Sequence, residues 1–200
     1  GKWGRVGERD AEPYKMAGLW EYLGEHGRRV DVYTDRDSMF AVPLRPGESQ
    51  DEQRERDRLT QLGRALRELG IGSILAYSPQ AKGRIERSFL TAQDRLVKDL
   101  RLAKVFTLEG ANAFLEKEYW PEWNEAFARP VKDFPNLHRP LTDALDLGAI
   151  LCHVEDRVIG NDYTFSFAGQ RYQIQREQVQ AGMRHQRLRV ELRLDGALKA

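Results

Sequence analysis

Between positions 29 and 103 the hydrophobic residues change period three times, and this alternation restricts the fold more than any other feature of the chain. Val30, Val32 and Tyr33 lie in a short β-branched and aromatic run over residues 30–34 that reads as a strand. Leu59, Leu62, Leu66 and Leu69 then step by three, four and three, which makes a buried seam on a helix over residues 51–70. The Arg/Glu/Asp run in front of them reads as a solvated face with i,i+4 pairs. Gly70 and Gly72 break that helix, and residues 71–77 form a second short apolar strand. From Lys82 onward, at about 100° per residue, Ile85, Phe89, Ala92, Leu96, Leu100 and Ala103 fall on one stripe. Arg84, Arg87, Arg95, Lys98 and Arg101 fall roughly opposite, with Glu86 on a shoulder between the two faces. Strand, helix, strand, helix is the order of an α/β sheet.

The flanks read differently. Residues 1–12 are rich in Gly, Arg and Lys without a period and are expected to be a disordered lead. Pro13 suits a first helical turn, Met16, Leu19, Trp20 and Leu23 make a helical stripe, and Gly27 is a helix stop. Residues 41–50 read as a loop. Thr107 is a helix N-cap with Glu109 in the first turn, and Pro121 predicts a kink or two helical pieces. The cluster Phe114, Tyr119, Trp120, Trp123 and Phe127 reads as packing around a helix corner rather than as a base-stacking platform. Residues 133–140, with two prolines, read as a linker. From about position 148 short alternating runs separated by Gly- and Asp-containing turns predict a small barrel.

Composition excludes some classes of protein. Two hundred residues with 40% apolar content can bury a core, and a formal net charge of +1 makes no global case for nucleic acid. Residues 78–104 nevertheless carry seven Lys/Arg against three Asp/Glu, a stripe able to neutralise phosphates. Cys152 is the only cysteine, so no internal disulfide forms, and with four scattered histidines it makes no zinc-ligand spacing. No apolar run reaches the roughly 18 residues of a membrane span and no secretory signal is visible, so the expectation is a cytosolic protein. The chain opens Gly1-Lys2-Trp3 without an initiator Met, which predicts a processed or truncated product.

Two stretches carry chemistry. The first is Tyr33-Thr34-Asp35-Arg36-Asp37-Ser38-Met39-Phe40, a strand that ends in a carboxylate. The second is Ser78-Pro79-Gln80-Ala81-Lys82-Gly83-Arg84-Ile85-Glu86-Arg87, a turn leading into a helix with one acidic residue near its start. In this order they resemble the DDE transposase and retroviral-integrase superfamily, and within it the transposases of bacterial insertion sequences. The resemblance spans roughly residues 13–197.

The resemblance implies a partial ribonuclease-H-like core over residues 13–105, connector helices and a linker over 106–147, and a small SH3-like β-barrel over 148–200. It implies that Asp35 and Glu86 are two of three carboxylates that hold Mg²⁺ or Mn²⁺ for cleavage and joining of DNA. Lys82, Arg84 and Arg87 flank Glu86, and with Arg95, Lys98 and Arg101 they are the expected phosphate contacts. The implied partners are transposon ends, target DNA and further copies of the chain; no membrane is implied. Asp37 reads as a loop residue. The superfamily's first Asp lies on a strand several tens of residues before the second. Only 34 residues precede Asp35, and Asp10 does not sit in a strand-like setting. The spacing of 51 residues from Asp35 to Glu86 is longer than the family's, and residues 41–58 absorb the difference. The expectation is therefore the later part of a catalytic core, inactive alone. The alternative is a non-catalytic module that binds element ends or interferes with a full-length transposase.

Overall fold

The computed structural model describes residues 4–7, 12–34, 47, 49, 60–75, 79–127 and 136–200, and these form two compact units, residues 1–145 and 146–200. In the first unit, helix α1 (Glu12–His26) takes Pro13 in its first turn and buries Met16 and Leu23. Strand β1 (Asp31–Thr34) follows. Helix α2 (Gln61–Glu68) is shorter than the run of charge and leucine suggests, because the Thr60 hydroxyl accepts the Gly63 N–H at 3.0 Å and caps the helix there. Residues 51–59 lie outside the described residues. The leucine seam is as expected: Leu62, Leu66 and Leu69 are buried. Strand β2 (Gly72–Leu75) pairs in parallel with β1, Thr34 opposite Leu75. A parallel pair needs a crossover connection, and α2 lies on it.

Helix α3 (Pro79–Leu102) runs for 24 residues. Helix α4 (Leu108–Phe114) starts where Thr107 accepts the Gly110 N–H at 3.1 Å. It does not stop at Pro121. It passes through a π-helical turn (Leu115–Tyr119) into α5 (Trp120–Phe127). Proline offers no N–H and crowds the carbonyl four residues back. Here the Trp120 N–H reaches the Leu115 carbonyl, five residues back, and the wider turn absorbs the mismatch without a break. Leu115, Tyr119 and Trp123 pack with Ala92 of α3, and Leu96, Phe114 and Trp120 close over them, so this aromatic cluster is core.

Two segments that read as loose are held. Of the lead, Val6 exchanges two hydrogen bonds with the Asn112 side chain and Gly4 accepts from Trp120 Nε1 at 2.8 Å. Of the linker, Arg139 exchanges both backbone bonds with Arg28, each at 2.7 Å. Arg28 also donates to the Leu69 carbonyl and Arg139 to the Arg29 and Gly70 carbonyls. These bonds tie residues 138–140 to the ends of α1 and α2. The sequence offers no sign of this because the partners are between 41 and 116 positions apart.

In the second unit, a helical turn α6 (Leu147–Ile150) precedes β3 (His153–Val158), so the strand begins later than residue 150. Strands β4 (Thr164–Phe167) and β5 (Gln170–Gln173) form a hairpin, and β6 (Arg187–Leu192) and β7 (Leu198–Lys199) follow. The expected barrel does not close. The strands make a three-stranded sheet in the order β3-β6-β7 and a separate two-stranded sheet β4-β5. Tyr163 adopts φ 58°, which takes it out of the strand, and a 3-10 turn (Arg176–Gln178) with further turns separates β5 from β6. Ile159, Phe165, Phe167, Ile174 and Val190 fill the space between the two sheets. Asp146 anchors the start of this unit: it accepts the Ala149 N–H at 3.1 Å and pairs with Arg193 at 3.1 Å.

Two substitutions test these anchors. Gly27 has φ 78°, and a Cβ there would stand 2.6 Å from the Arg139 carbonyl oxygen. Gly27→Ala is expected to cost at least about 1–2 kcal/mol from the left-handed backbone alone, read as a lower denaturation midpoint in urea. The Ala149 N–H, and after it Arg193, hold the Asp146 carboxyl below its ordinary value of 3.8. A folded value below the unfolded one means stabilisation that is present above about pH 4 and lost as pH falls through the folded value. Thermal unfolding followed from pH 6 to pH 2 should show this loss, and Asp146→Asn should flatten that part of the profile.

Candidate functional site

The parallel pairing of β1 and β2 brings the C-terminal ends of the two strands side by side. Residue 35 follows β1 directly, and α3 begins four residues after β2 ends. The two expected carboxylate-bearing segments therefore leave the same edge of the sheet, the edge at which ligands bind in open α/β sheets. Asp35 and Asp37 themselves lie outside the described residues. Thr34, the last residue of β1, is buried, and its hydroxyl has no hydrogen-bond partner among the described residues.

Glu86 is exposed on α3. The helix begins at Pro79, so Glu86 stands two turns inside it, about 10 Å along the axis. Glu86 is thus near the helix start, as expected, but beyond the first turn. The helix dipole acts within the first turn, so it does not account for this carboxylate.

The basic residues divide by environment. Lys82 and Arg84 lie on α3, and their side chains are outside what the structure describes. Arg87 is exposed and donates from Nε to the Gly83 carbonyl at 3.0 Å. Lys98 pairs with Asp94 one turn earlier at 2.6 Å, with both side chains about two-thirds exposed. Such a pair is worth little to stability, but it halves the free charge of that turn. Arg95 lies over the rings of Phe127 at 5.0 Å and Trp123 at 5.7 Å, a cation–π arrangement that ties α3 to α5. Arg101 is exposed in the last turn. The stripe is thus one face of α3, but its members are not equivalent point charges. Beneath it Tyr119 donates to the Ala92 carbonyl at 2.6 Å. Burial, and then the Asp99 carboxylate, push the Tyr119 hydroxyl above its ordinary pKa.

A second concavity, of about 1180 Å³, opens between α1 and the α4–α5 helix. Within it Arg29 Nε donates to the Tyr22 hydroxyl at 2.6 Å, and Tyr22 meets His138 Nε2 at 2.8 Å. His138 Nδ1 lies 2.7 Å from Asn136 Oδ1. With the Asn136 oxygen accepting, a neutral imidazole carries its proton on Nδ1 and accepts from Tyr22 at Nε2. Sequence spacing carries no trace of this chain of bonds, since Tyr22 and His138 are 116 positions apart.

The first unit thus presents a parallel β-α-β step followed by a long helix that bears an acidic residue and a basic face. No protein-family profile matches the chain. It is 39% identical over 178 residues to the putative transposase y4bF of Sinorhizobium fredii, a match that covers 88% of this chain and 37% of that protein. It is 32% identical over 154 residues to the transposase for insertion sequence IS1202 of Streptococcus pneumoniae, covering 77% of this chain and 32% of that protein. The chain is thus similar to two bacterial proteins named as transposases, one of them of an insertion sequence, and spans about a third of their length. Among the described residues no helix is long and apolar enough to cross a membrane.

Proposed function

We propose that this chain is a part of a DDE-type transposase of a bacterial insertion sequence, in which residues 13–105 form the later half of a ribonuclease-H-like catalytic core. The observation that carries this reading is the shared sheet edge from which residue 35 and α3 depart, taken with the two transposase relatives. In this reading Asp35 and Glu86 are two of three carboxylates that hold a divalent metal. Both are hard oxygen donors of the kind Mg²⁺ or Mn²⁺ takes, so the donor chemistry fits. When bound, the metal supplies charge neutralisation for in-line attack on a phosphodiester. The residues of this chain orient that chemistry: Asp35 and Glu86 fix the ligand oxygens, and the basic face of α3 aligns the DNA backbone beside them. The partners are transposon ends, target DNA and further copies of the chain, in the bacterial cytoplasm. Residues 106–147 serve as connector, and residues 148–200 as an SH3-like DNA-contacting module with open sheets.

The sheet itself supports incompleteness. Parallel strands are normally covered on both faces, whereas Tyr33 and Ile74, opposite each other in β1 and β2, are 45% and 50% exposed. Helices packed on that face of a larger sheet, one strand of which bears the third carboxylate, would cover them. The second reading is a module that binds DNA or interferes with assembly without catalysis.

The purified chain is expected neither to cut nor to join DNA in Mg²⁺ or Mn²⁺. Strand cutting that disappears on Asp35→Ala or Glu86→Ala would overturn its incompleteness. DNA affinity has its own measurement. If Z side chains neutralise phosphates, log K falls with log salt at about −0.9Z on duplex DNA. The double reversal Arg95→Glu and Lys98→Glu should weaken binding to all sequences and flatten that slope. If only removal of the residues after Leu147 lowers affinity, the second unit is the DNA-binding element.

A further inference from the structure

The basic face of α3 ends in an apolar knuckle. Leu102, the last residue of the helix, is 81% exposed, and Phe106, just beyond it, is 84% exposed. Leu102 stands one turn after Lys98 and two turns after Arg95, positions that share a helix face. It therefore lies beside the charged side, about 80° around the helix from the buried Ala92. Arg101 and Lys104 are exposed beside it. Of the nearby acids, Asp94 is paired with Lys98, Asp99 acts on Tyr119, and Glu109 opens the next helix.

The knuckle is held in place by its backbone. The Val105 N–H donates to the Leu100 carbonyl at 2.9 Å and the Lys104 N–H to Arg101 at 3.2 Å, with Lys104 at φ 55°. This is the Schellman closure of a helix, built here without the usual glycine. One residue beyond Phe106, the Thr107 hydroxyl caps α4. Leu102 and Phe106 are thus presented between two fixed helix ends.

These are the two most exposed of the large apolar side chains among the described residues, four positions apart, with Arg101 and Lys104 exposed beside them. The charge around them selects the partner: cationic side chains that track phosphates, followed by Leu and Phe, are the equipment with which proteins wedge open a base step. We propose that Leu102 and Phe106 form a wedge that enters duplex DNA between base pairs while the α3 face holds the flanking phosphates. The occupant is the base stack of a duplex at a readily unstacked pyrimidine–purine step. This inference rests on the DNA-binding reading above and adds to it a distortion of the DNA that phosphate contacts alone would not produce.

The test uses the full chain and duplexes with 2-aminopurine beside a TA step. Binding is read by anisotropy across a salt series, and unstacking by the rise in 2-aminopurine fluorescence. Wild type is expected to bind with a negative salt slope and to raise the fluorescence. Leu102→Ala and Phe106→Ala should abolish the rise and leave the salt slope unchanged, whereas Phe106→Trp should restore it. Leu90→Ala, which removes a 65% exposed leucine from another face of α3, should change neither. All these side chains are exposed, and circular dichroism verifies that the variants fold. Salt-dependent binding without a rise, or a rise that survives both alanine variants, overturns the wedge and leaves the DNA-binding reading standing. Absence of salt-dependent binding by wild type removes both. If the alanine variants instead lower the sedimenting mass while the rise persists, the knuckle joins copies of the chain and the proposal fails.

Discussion

The pairing of β1 with β2 is the constraint on which the rest of the first unit depends. Because the strands are parallel, the chain must cross over between them, and α2 supplies that crossover with Leu62, Leu66 and Leu69 buried beneath it. Because they are in register, Thr34 lies opposite Leu75, and whatever follows each strand leaves from one edge. The clamp between Arg28 and Arg139 secures the opposite end, where four backbone carbonyls accept from the two guanidinium groups. A residue of the apparent linker thereby becomes part of the support for the strand pair.

The long helix α3 is positioned by a different means. Its buried side meets the π-turned helix through Ala92, Leu115, Tyr119 and Trp123, and Arg95 reaches over the same aromatic residues from the outside. Packing and charge thus share one contact. An arginine in that position stiffens the helix pair and at the same time projects positive charge outward, so its substitution affects both stability and electrostatics. The π turn is part of this arrangement, because it lets a helix containing proline continue and carry Trp123 and Phe127 to α3.

The second unit is organised as two small sheets over one core, not as a barrel. Val190 of β6 and Phe165 and Phe167 of β4 face each other, while the connection through the 3-10 turn separates the edges that would have to pair for closure. Its exposed strands carry alternating charge, with Arg189 and Arg193 both drawn to Glu191. Much of the arginine content of this unit is consequently engaged within it.

Sequence periodicity by itself determined the type of most segments, though not their bounds at residues 150, 163 and 121, because type depends on local spacing: the leucine seam, the stripe from Ala92 to Leu100, the Thr107 cap and the alternation in the last fifty residues all lie within short lengths of chain. It also marked Glu86 and the basic residues around it, since a motif is a local string. Tertiary structure decided everything that joins distant positions. It set the register of β1 on β2, the bonding of residues 4–7 to Asn112 and Trp120, the Arg28–Arg139 clamp, and the failure of the barrel to close. It also turned Arg95 onto the aromatic rings of another helix and left Leu102 and Phe106 in solvent, whereas the Lys98–Asp94 pair is local to one helix. These outcomes depend on which surfaces meet and how their hydrogen bonds are satisfied, and one-dimensional spacing holds no record of contacts between residues more than 100 positions apart.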